Sequence, residues 1–197
     1  MKKYFFLWVI LFLSIHQIIA QNNWFQVNNN IGNFQFEVPQ EPAFHQEDST
    51  MMYVTSALDT TIIMQVHYAD QHQDDIEAAN EIKNISQEAF YDNFAKLLLI
   101  DNKDATLESL DDVVLSNGLK GKEIGIRYSI LSEDNLVNDE RAEDEIFPPT
   151  EQVRFMFIRV FWHNQKNYIF TIDCLHTSLP DLPTFKNNFF QSIFINL

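Results

Sequence analysis

Apolar and polar residues alternate along much of this chain, which is the pattern of β-strands. In residues 34–38, Phe34, Phe36 and Val38 alternate with polar neighbours, and Pro39 ends the run. Alternation or a continuous β-rich run predicts six further strands at residues 50–57, 61–68, 107–116, 119–131, 152–162 and 167–175. The fifth of these is apolar on both faces, so we expect it in the middle of a sheet that is covered on both sides.

Two other segments carry the apolar spacing of helices. Apolar residues recur every three or four positions over residues 76–98, which predicts one long amphipathic helix. Asp74 or Asp75 would cap it, and it would end near Ile100. A short second helix is predicted after Asp181, with the apolar residues Leu182, Phe185, Phe189 and Ile193. The order β, ββ, α, ββ, ββ, α indicates an α+β protein, in which helices cover an antiparallel β-sheet.

Two turns between strands can be predicted from their residues. Residues 58–60 (LDT) are short enough to join their flanking strands as a tight hairpin. Asn117 and Gly118 separate the strands at residues 107–116 and 119–131. This dipeptide is typical of a two-residue turn in which both central residues take positive φ.

The first 20 residues have the pattern of a secretory signal peptide. Lys2 and Lys3 precede an apolar run, and the small residue Ala20 stands before the polar Gln21. We therefore expect cleavage after Ala20 and an exported protein, periplasmic or extracellular, with no stable membrane insertion after signal removal. A single membrane anchor or a buried helix is the alternative, but the run is short for a bilayer span.

The remaining residues predict a single domain with an acidic insertion. Residues 21–32 are a polar lead-in segment, and residues 33–197 form the domain. Residues 132–150 are rich in Asp and Glu, which predicts a long loop or a disordered insertion. A calcium site on the carboxylates of this insertion is the alternative, although the spacing and the turn glycine of an EF-hand are missing.

The composition narrows the possible partners and points to an aromatic core. The 197 residues include 18 Phe, which we expect to dominate the core, and the formal net charge is −15. Loss of Lys2 and Lys3 with the signal peptide changes the charge to −17. A surface this acidic repels phosphate backbones, so nucleic-acid binding is not expected. The charge keeps the protein soluble, or it attracts cations or a basic partner.

The sequence contains no catalytic motif that we recognise. G-x-S-x-G, H-E-x-x-H, the P-loop and the dinucleotide fingerprint are all missing, which predicts a non-enzyme without a cofactor. The single cysteine, Cys174, lies in an apolar strand, where a buried and inert thiol is expected. A nucleophile or an intermolecular bridge is the alternative for that thiol. His163 and His176 flank the last two strands and are explained as residues of the sheet rim.

His67, Asp70 and His72 are the candidate metal ligands of this sequence. Together with Asp74 and Asp75 they lie between a predicted strand and a predicted helix, where imidazole and carboxylate groups can converge on zinc or a similar cation. Their spacing matches no known metal motif. A solvated connection with a helix cap is therefore the favoured alternative.

Three arginines inside predicted strands need partners there. Charged groups on a sheet require an ion pair or a route to solvent, and this applies to Arg127, Arg154 and Arg159. We expect Glu123 or Asp173 to pair with them. An anion-binding groove is the alternative.

Several short motifs, taken in order, are similar to those of a known family. Residues 34–39 (FQFEVP) alternate aromatics and Val before a Pro. A β-hairpin, a helix, the hairpin at residues 117–123 (NGLKGKE) and the strand pair at residues 154–162 and 168–175 follow. Residues 185–194 (FKNNFFQSIF) look like a terminal helix with an aromatic end. These features resemble the small PsbP/Mog1-like proteins.

The resemblance covers residues 33–197 and implies an α/β/α sandwich around an antiparallel sheet. Known members mostly act by binding other proteins; one group sits on a photosynthetic complex and another on a small GTPase. No catalytic or cofactor-binding residue carries over, and fold alone does not transfer function.

These observations favour an exported, soluble, non-enzymatic binding or assembly module. Its partner is expected to be another protein of the envelope or the exterior. A carrier of a small apolar ligand or lipid, held in a cavity between sheet and helix, is the second hypothesis, because many Phe and Met residues can line such a cavity. An unrecognised hydrolase is the third.

The signal-peptide prediction has a direct test. Protein recovered from the periplasm or the medium should begin at Gln21, because the segment before it is removed on export. Intact-mass measurement and N-terminal sequencing check this. A full-length precursor that stays in the cytosol would contradict the prediction.

Overall fold

The computed structural model describes residues 24–58, 60–70, 86–102, 104–132 and 150–197. The strands are β1 (Phe25–Asn29), β2 (Phe34–Val38), β3 (Ala43–Glu47), β4 (Thr50–Ala57), β5 (Ile62–Asp70), β6 (Thr106–Val114), β7 (Lys120–Ser132), β8 (Thr150–His163), β9 (Lys166–Leu175) and β10 (Phe194–Ile195). The helices are α1 (Gln87–Asp101) and α2 (Leu182–Gln191), with a short 3₁₀-helix at His176–Ser178.

One large antiparallel sheet forms the middle of the fold. Its seven strands lie in the order β3-β4-β5-β9-β8-β7-β6, and β1, β2 and β10 form a separate three-stranded sheet. β8, which carries the run that is apolar on both faces, lies between β9 and β7, as its sequence predicts. The predicted α+β class with an antiparallel sheet is confirmed.

One face of the large sheet, called the inner face here, packs against the small sheet and α2. Side chains alternate along a strand, so every second residue of β5 points to this face. Ile62, Met64, Val66 and Tyr68 are these residues, and none is more than 1% exposed. They belong to one apolar cluster with residues of β2, β9 and α2.

Aromatic rings fill the space between these layers. The Phe170 ring on β9 meets the rings of Phe34, Phe36, Phe161 and Phe189 edge to face, each at a centroid distance of 6.2 Å. Such pairs contribute about 0.5–1.5 kcal/mol each beyond their burial. The predicted Phe-dominated core is therefore confirmed.

α1 covers the opposite, outer face of the large sheet. Its buried residues are Tyr91 and Ala95, which cluster with Ile124 and Ile126 of β7 and Ile158 of β8. With α1 on one face and α2 on the other, the predicted α/β/α sandwich is confirmed. The small sheet shares the inner layer with α2.

The prediction of one helix from residue 74 to residue 100 is wrong at Ser86. Ser86 has an extended backbone (φ −66°, ψ 152°), and its hydroxyl accepts a hydrogen bond from the Ala89 N–H at 3.2 Å. A side-chain oxygen that satisfies a free helical N–H is an N-cap, so α1 starts at Gln87. The predicted end agrees with the observed one. Residues 74–85 of the prediction lie outside the described residues.

The turn at Asn117 and Gly118 is longer than predicted. The Gly118 N–H donates to Leu115 O at 2.9 Å, and the Leu115 N–H donates to Leu119 O at 2.9 Å, which makes a three-residue loop at positions 116–118. Gly118 takes a positive φ (86°) but Asn117 does not, so the predicted two-residue turn is wrong. A type I turn followed by a left-handed glycine is the other common hairpin loop. The predicted hairpin between β4 and β5 is confirmed.

Three segments without a strand prediction form strands, and one of them, β10, includes the last residue of the predicted terminal helix and pairs with β2. β1 lies within the predicted lead-in segment and pairs with β2, and its Val27 is buried in the core. β3 pairs with β4 at one edge of the large sheet, and all five of its residues are exposed. An edge strand exposed on both faces shows no apolar alternation, so the sequence carried no signal for it.

Parts of the predictions fall on residues that the structure does not describe. The signal peptide (1–20) and the interior of the acidic insertion, with its alternative calcium site, lie outside the described residues. The ends of the insertion, Ser132 and Thr150, pair in the β7–β8 ladder. Neither α1 nor α2 has the length and apolar character needed to cross a membrane.

The aromatic packing predicts a large cost for removing its central ring. Phe170→Ala should lower the free energy of unfolding by about 3–5 kcal/mol, because it leaves a cavity among four rings. Phe25 on β1 is 41% exposed, so Phe25→Ala serves as the control. We expect a loss of about 1 kcal/mol or less for the control. Urea unfolding measures both, and equal losses would contradict the packing described here.

Candidate functional site

The predicted metal ligands divide between the two faces of β5. His67 lies on the outer face, since its neighbour Tyr68 is buried on the inner face. The Asp70 carboxylate lies with Tyr68, 3.4 Å from its hydroxyl and 3.6 Å from Lys166 Nζ. His67 and Asp70 are therefore not brought together. His72, Asp74 and Asp75 lie outside the described part of the chain. The predicted metal site of His67, Asp70 and His72 therefore stays a prediction.

Cys174, His163 and His176 are not brought together in the described part of the chain. No three side chains of His, Cys, Asp or Glu there come together as a metal-binding group. Cys174 is fully buried, as predicted, and burial raises the pKa of its thiol to about 11, so the thiol stays protonated at neutral pH. His176 stacks on Phe155 at 5.8 Å, and His163 lies at the opposite end of β9.

Arg154 and Asp173 form the predicted ion pair on the outer face. Arg154 Nε is 3.0 Å from Asp173 Oδ1, and the Tyr128 hydroxyl donates to Asp173 Oδ2 at 2.7 Å. Burial, with Asp173 beside it, raises the pKa of Tyr128, so its hydroxyl remains a donor. Arg154 is only 8% exposed, and its Nη2 has no hydrogen-bond partner. These contacts hold β7, β8 and β9 together at one end of the sheet.

The second predicted ion pair ties α2 to the inner face. Arg159 Nε donates to Glu123 Oε2 at 2.7 Å, and Lys186 Nζ of α2 lies 2.5 Å from Glu123 Oε1. Arg159 also donates to Phe190 O in the last turn of α2 at 3.1 Å. Burial alone raises the pKa of Glu123, but the hydrogen bonds from Lys186 and Arg159 outweigh it and hold that pKa below its ordinary value.

A groove lies where the start of α1 meets the turns of two hairpins. Its volume is about 530 Å³. Gln87 of α1, Leu119 and Lys120 at the start of β7, and Trp162 and Gln165 at the β8–β9 turn are among its lining residues. Three segments that are distant in sequence thus contribute to one concave surface.

The start of α1 is clamped to the sheet beside this groove. Gln87 Nε2 donates to the Tyr91 hydroxyl at 3.0 Å and to Trp162 O at 3.1 Å. The Tyr91 hydroxyl accepts from the Trp162 N–H at 3.2 Å and donates to Lys120 O at 3.2 Å. The Trp162 ring also stacks on Phe90 of α1 at 5.2 Å. These contacts fix the groove before any ligand arrives.

The β8–β9 turn places two residues with positive φ at the groove. Asn164 (φ 49°) and Gln165 (φ 60°) both take positive φ between the paired residues His163 and Lys166. This is the backbone of a type I′ turn, in which Asn and Gly are the favoured residues. A left-handed Gln costs about 1–2 kcal/mol, and such strain is often found at functional positions.

Three buried polar atoms at this corner have no hydrogen-bond partner. They are Trp162 Nε1, Gln165 Oε1 and Asn167 Oδ1, and Asn167 pairs directly with Trp162 across the β8–β9 ladder. The described part of the chain has five such side-chain atoms, so most of them lie here. Each unsatisfied buried polar group costs about 1–3 kcal/mol. Trp162 and Gln165 also line the groove, whereas Asn167 lies next to it on the β8–β9 ladder.

This site was not predicted from the sequence. Trp162 was assigned only to an apolar strand face, and neither Gln165 nor Asn167 was selected as a functional residue. The available signal was a tight hairpin turn made without glycine, directly after a strand that ends in Trp162 and His163. The convergence with Gln87 depends on the fold and has no signal in the sequence.

The fold is similar to that of known structures, whereas the sequence is not. No family model matches the chain, and no curated protein is similar to it in sequence. A solution structure of cyanobacterial PsbP (CyanoP) from Synechocystis sp. PCC 6803 matches with a TM-score of 0.50 at 9% identity, over 88% of this chain and 92% of that one. The chain therefore has a PsbP-like fold, and the expected resemblance is confirmed at the level of the fold.

A further similar structure is that of the Saccharomyces cerevisiae Ran-binding protein Mog1p. It matches with a TM-score of 0.48 at 11% identity, over 88% of this chain and 95% of that one. At such identities a likeness concerns the fold and leaves the function to be argued from the site.

The ion pairs of Glu123 predict a specific dependence of stability on pH. A pKa that is lower in the folded than in the unfolded state stabilises the fold above the unfolded value, and this stabilisation is lost as the pH falls through the folded value. Glu123→Gln should therefore lower the free energy of unfolding at pH 7 by about 1–3 kcal/mol. The difference from wild type should shrink below the ordinary pKa of 4.5.

Urea unfolding between about pH 3 and pH 7 measures this difference in the free energy of unfolding between the variant and wild type. Glu41→Gln changes an exposed carboxylate and is the matched control, with little effect at either pH. A Glu123→Gln deficit that stays constant over the whole range would contradict the role of the carboxylate charge.

Proposed function

We propose that this protein is a non-enzymatic binding module that holds a polypeptide segment of a partner protein in the groove at the β8–β9 turn. The unpartnered polar atoms of the two groove-lining residues Trp162 and Gln165 carry the proposal. A peptide backbone offers both C=O and N–H groups. When these side chains turn their buried polar atoms towards the groove, a peptide C=O accepts from Trp162 Nε1 and a peptide N–H donates to Gln165 Oε1.

The surroundings of the groove support recognition rather than catalysis. The clamp made by Gln87 and Tyr91 holds the groove in one shape, which lowers the entropy cost of binding. Gln165 in the turn takes a left-handed backbone conformation that is unfavourable for this residue type, and strain of this kind is often found at functional positions. A net charge of −15 favours encounter with a basic partner.

The other two hypotheses have less support. The layer between the sheet and α2 is filled by the ring contacts of Phe170, which argues against a carrier with a cavity there. Cys174 is protonated and buried, and the two histidines near it in sequence lie at opposite ends of β9, which argues against a hydrolase. The predicted signal peptide supports a partner in the cell envelope or outside the cell.

The proposal predicts that partner binding depends on the Trp162 N–H. Trp162→Phe removes this donor but keeps a ring that can stack on Phe90, and Gln165→Ala removes one acceptor. Each should weaken binding about 5- to 10-fold, which corresponds to the loss of one hydrogen bond. Gln191→Ala, exposed at the end of α2, is the control and should bind as wild type does.

The measurement has two steps. Cross-linked complexes are first purified from the producing cells and quantified by mass spectrometry, and the dissociation constant of the recovered partner is then measured for each variant. Failure to recover any partner would overturn the binding function. A partner that binds all three variants equally would overturn the assignment of the groove.

A further inference from the structure

A row of metal-binding side chains crosses three strands on the outer face, away from the groove. His45 on β3 lies directly across from Met52 on β4, and Met52 lies directly across from His67 on β5. Residues that are paired in this way project from the same face of a sheet. Two imidazoles therefore flank one thioether in a single row. From this juxtaposition we infer that His45, Met52 and His67 form a binding site for a monovalent copper ion, Cu(I).

The three side chains also line one cavity. Its volume is about 310 Å³, and its other lining residues are Glu47, Asp48 and Thr50. His45 and His67 are two strand spacings apart, which is about 9.5 Å between backbones. Imidazole rings that lean towards the middle strand by side-chain rotation would share one ion above the Met52 sulfur.

The ligand set selects the metal. Thioether sulfur is a soft ligand that favours Cu(I), and imidazole also binds copper well. A group of two imidazoles and one thioether contains only two residues of the types His, Cys, Asp and Glu, which is consistent with the lack of a three-membered cluster of those types in the described residues. Hard cations such as calcium and magnesium prefer oxygen ligands, so the two imidazoles and the thioether select against them.

A neighbouring carboxylate lies beside one of the ligands. Glu47 Oε2 is 3.9 Å from His45 Nε2, and both side chains are largely exposed. A carboxylate outside the metal's own ligands can orient a ligating imidazole once it accepts a hydrogen bond from the ring.

This set differs from the one predicted from the sequence. It keeps His67, has His45 and Met52 in place of Asp70 and His72, and depends on strand register rather than on spacing along the chain. Asp70 is on the inner side of β5 and contacts Lys166. Asp70→Asn is therefore a matched variant that separates the two sets, since it should leave copper affinity unchanged.

Anaerobic competition against a colorimetric Cu(I) chelator tests the inference on the purified protein. Wild type should take up one equivalent of Cu(I). His45→Ala and His67→Ala should each weaken Cu(I) binding at least about 10-fold, because each removes a metal ligand. Met52→Leu should weaken Cu(I) binding but leave any Zn(II) binding unchanged. His176→Ala, an exposed histidine at the end of β9, should bind as wild type does.

Each variant is first checked by its circular dichroism spectrum and its urea unfolding. If His67→Ala does not fold, His67→Gln, which keeps a side chain of similar size, takes its place. Failure of wild type to bind Cu(I), or unchanged binding by a His45→Ala/His67→Ala double variant, would overturn the site. Zn(II) binding that exceeds Cu(I) binding and ignores Met52→Leu would overturn the choice of metal. None of these outcomes bears on peptide binding in the groove.

Discussion

The fold depends on burying both faces of β8 and β9 at once. Phe161 and Phe170 fill the inner face, while Ile158 packs under α1 on the outer face. Polar groups on strands with two covered faces lose their contact with water and must find partners within the protein. Arg154 and Arg159 do so through Asp173 and Glu123, and the second of these pairs also holds α2 in place. Packing and electrostatics thus fix the same three layers.

The corner at the β8–β9 turn departs from this rule. Its buried atoms Trp162 Nε1, Gln165 Oε1 and Asn167 Oδ1 have no hydrogen-bond partner, and they are three of the five such side-chain atoms in the described residues, Arg154 Nη2 being another. Its turn also holds Gln165 in a left-handed backbone conformation. Local conflicts of this kind are expected at functional sites in an otherwise consistent fold. A ligand that forms hydrogen bonds with these atoms would offset the free-energy cost of leaving them unpaired.

The sequence predicted what depends on local pattern and missed what depends on register or on distant segments. Alternation identified the central strands, and two apolar faces identified β8 as internal. The helix boundary at Ser86 was missed because the apolar spacing continues on both sides of it. Ser86 acts as an N-cap only because its backbone is extended, and the apolar pattern does not report backbone conformation. β3, at an exposed edge, has no apolar signal. Neither the groove nor the row from His45 to His67 can be read from spacing along the chain, because each joins separate strands.

The most direct test of peptide recognition is the ¹H–¹⁵N NMR signal of the Trp162 indole N–H, recorded with and without the purified partner. If this group donates to a partner carbonyl, its signal should shift on binding and its exchange with solvent should slow. The indole of Trp24, which packs on Phe185 at the other side of the sheet, provides an internal reference and should not change. A Trp162 signal that stays unchanged while the partner is fully bound would contradict recognition through the groove.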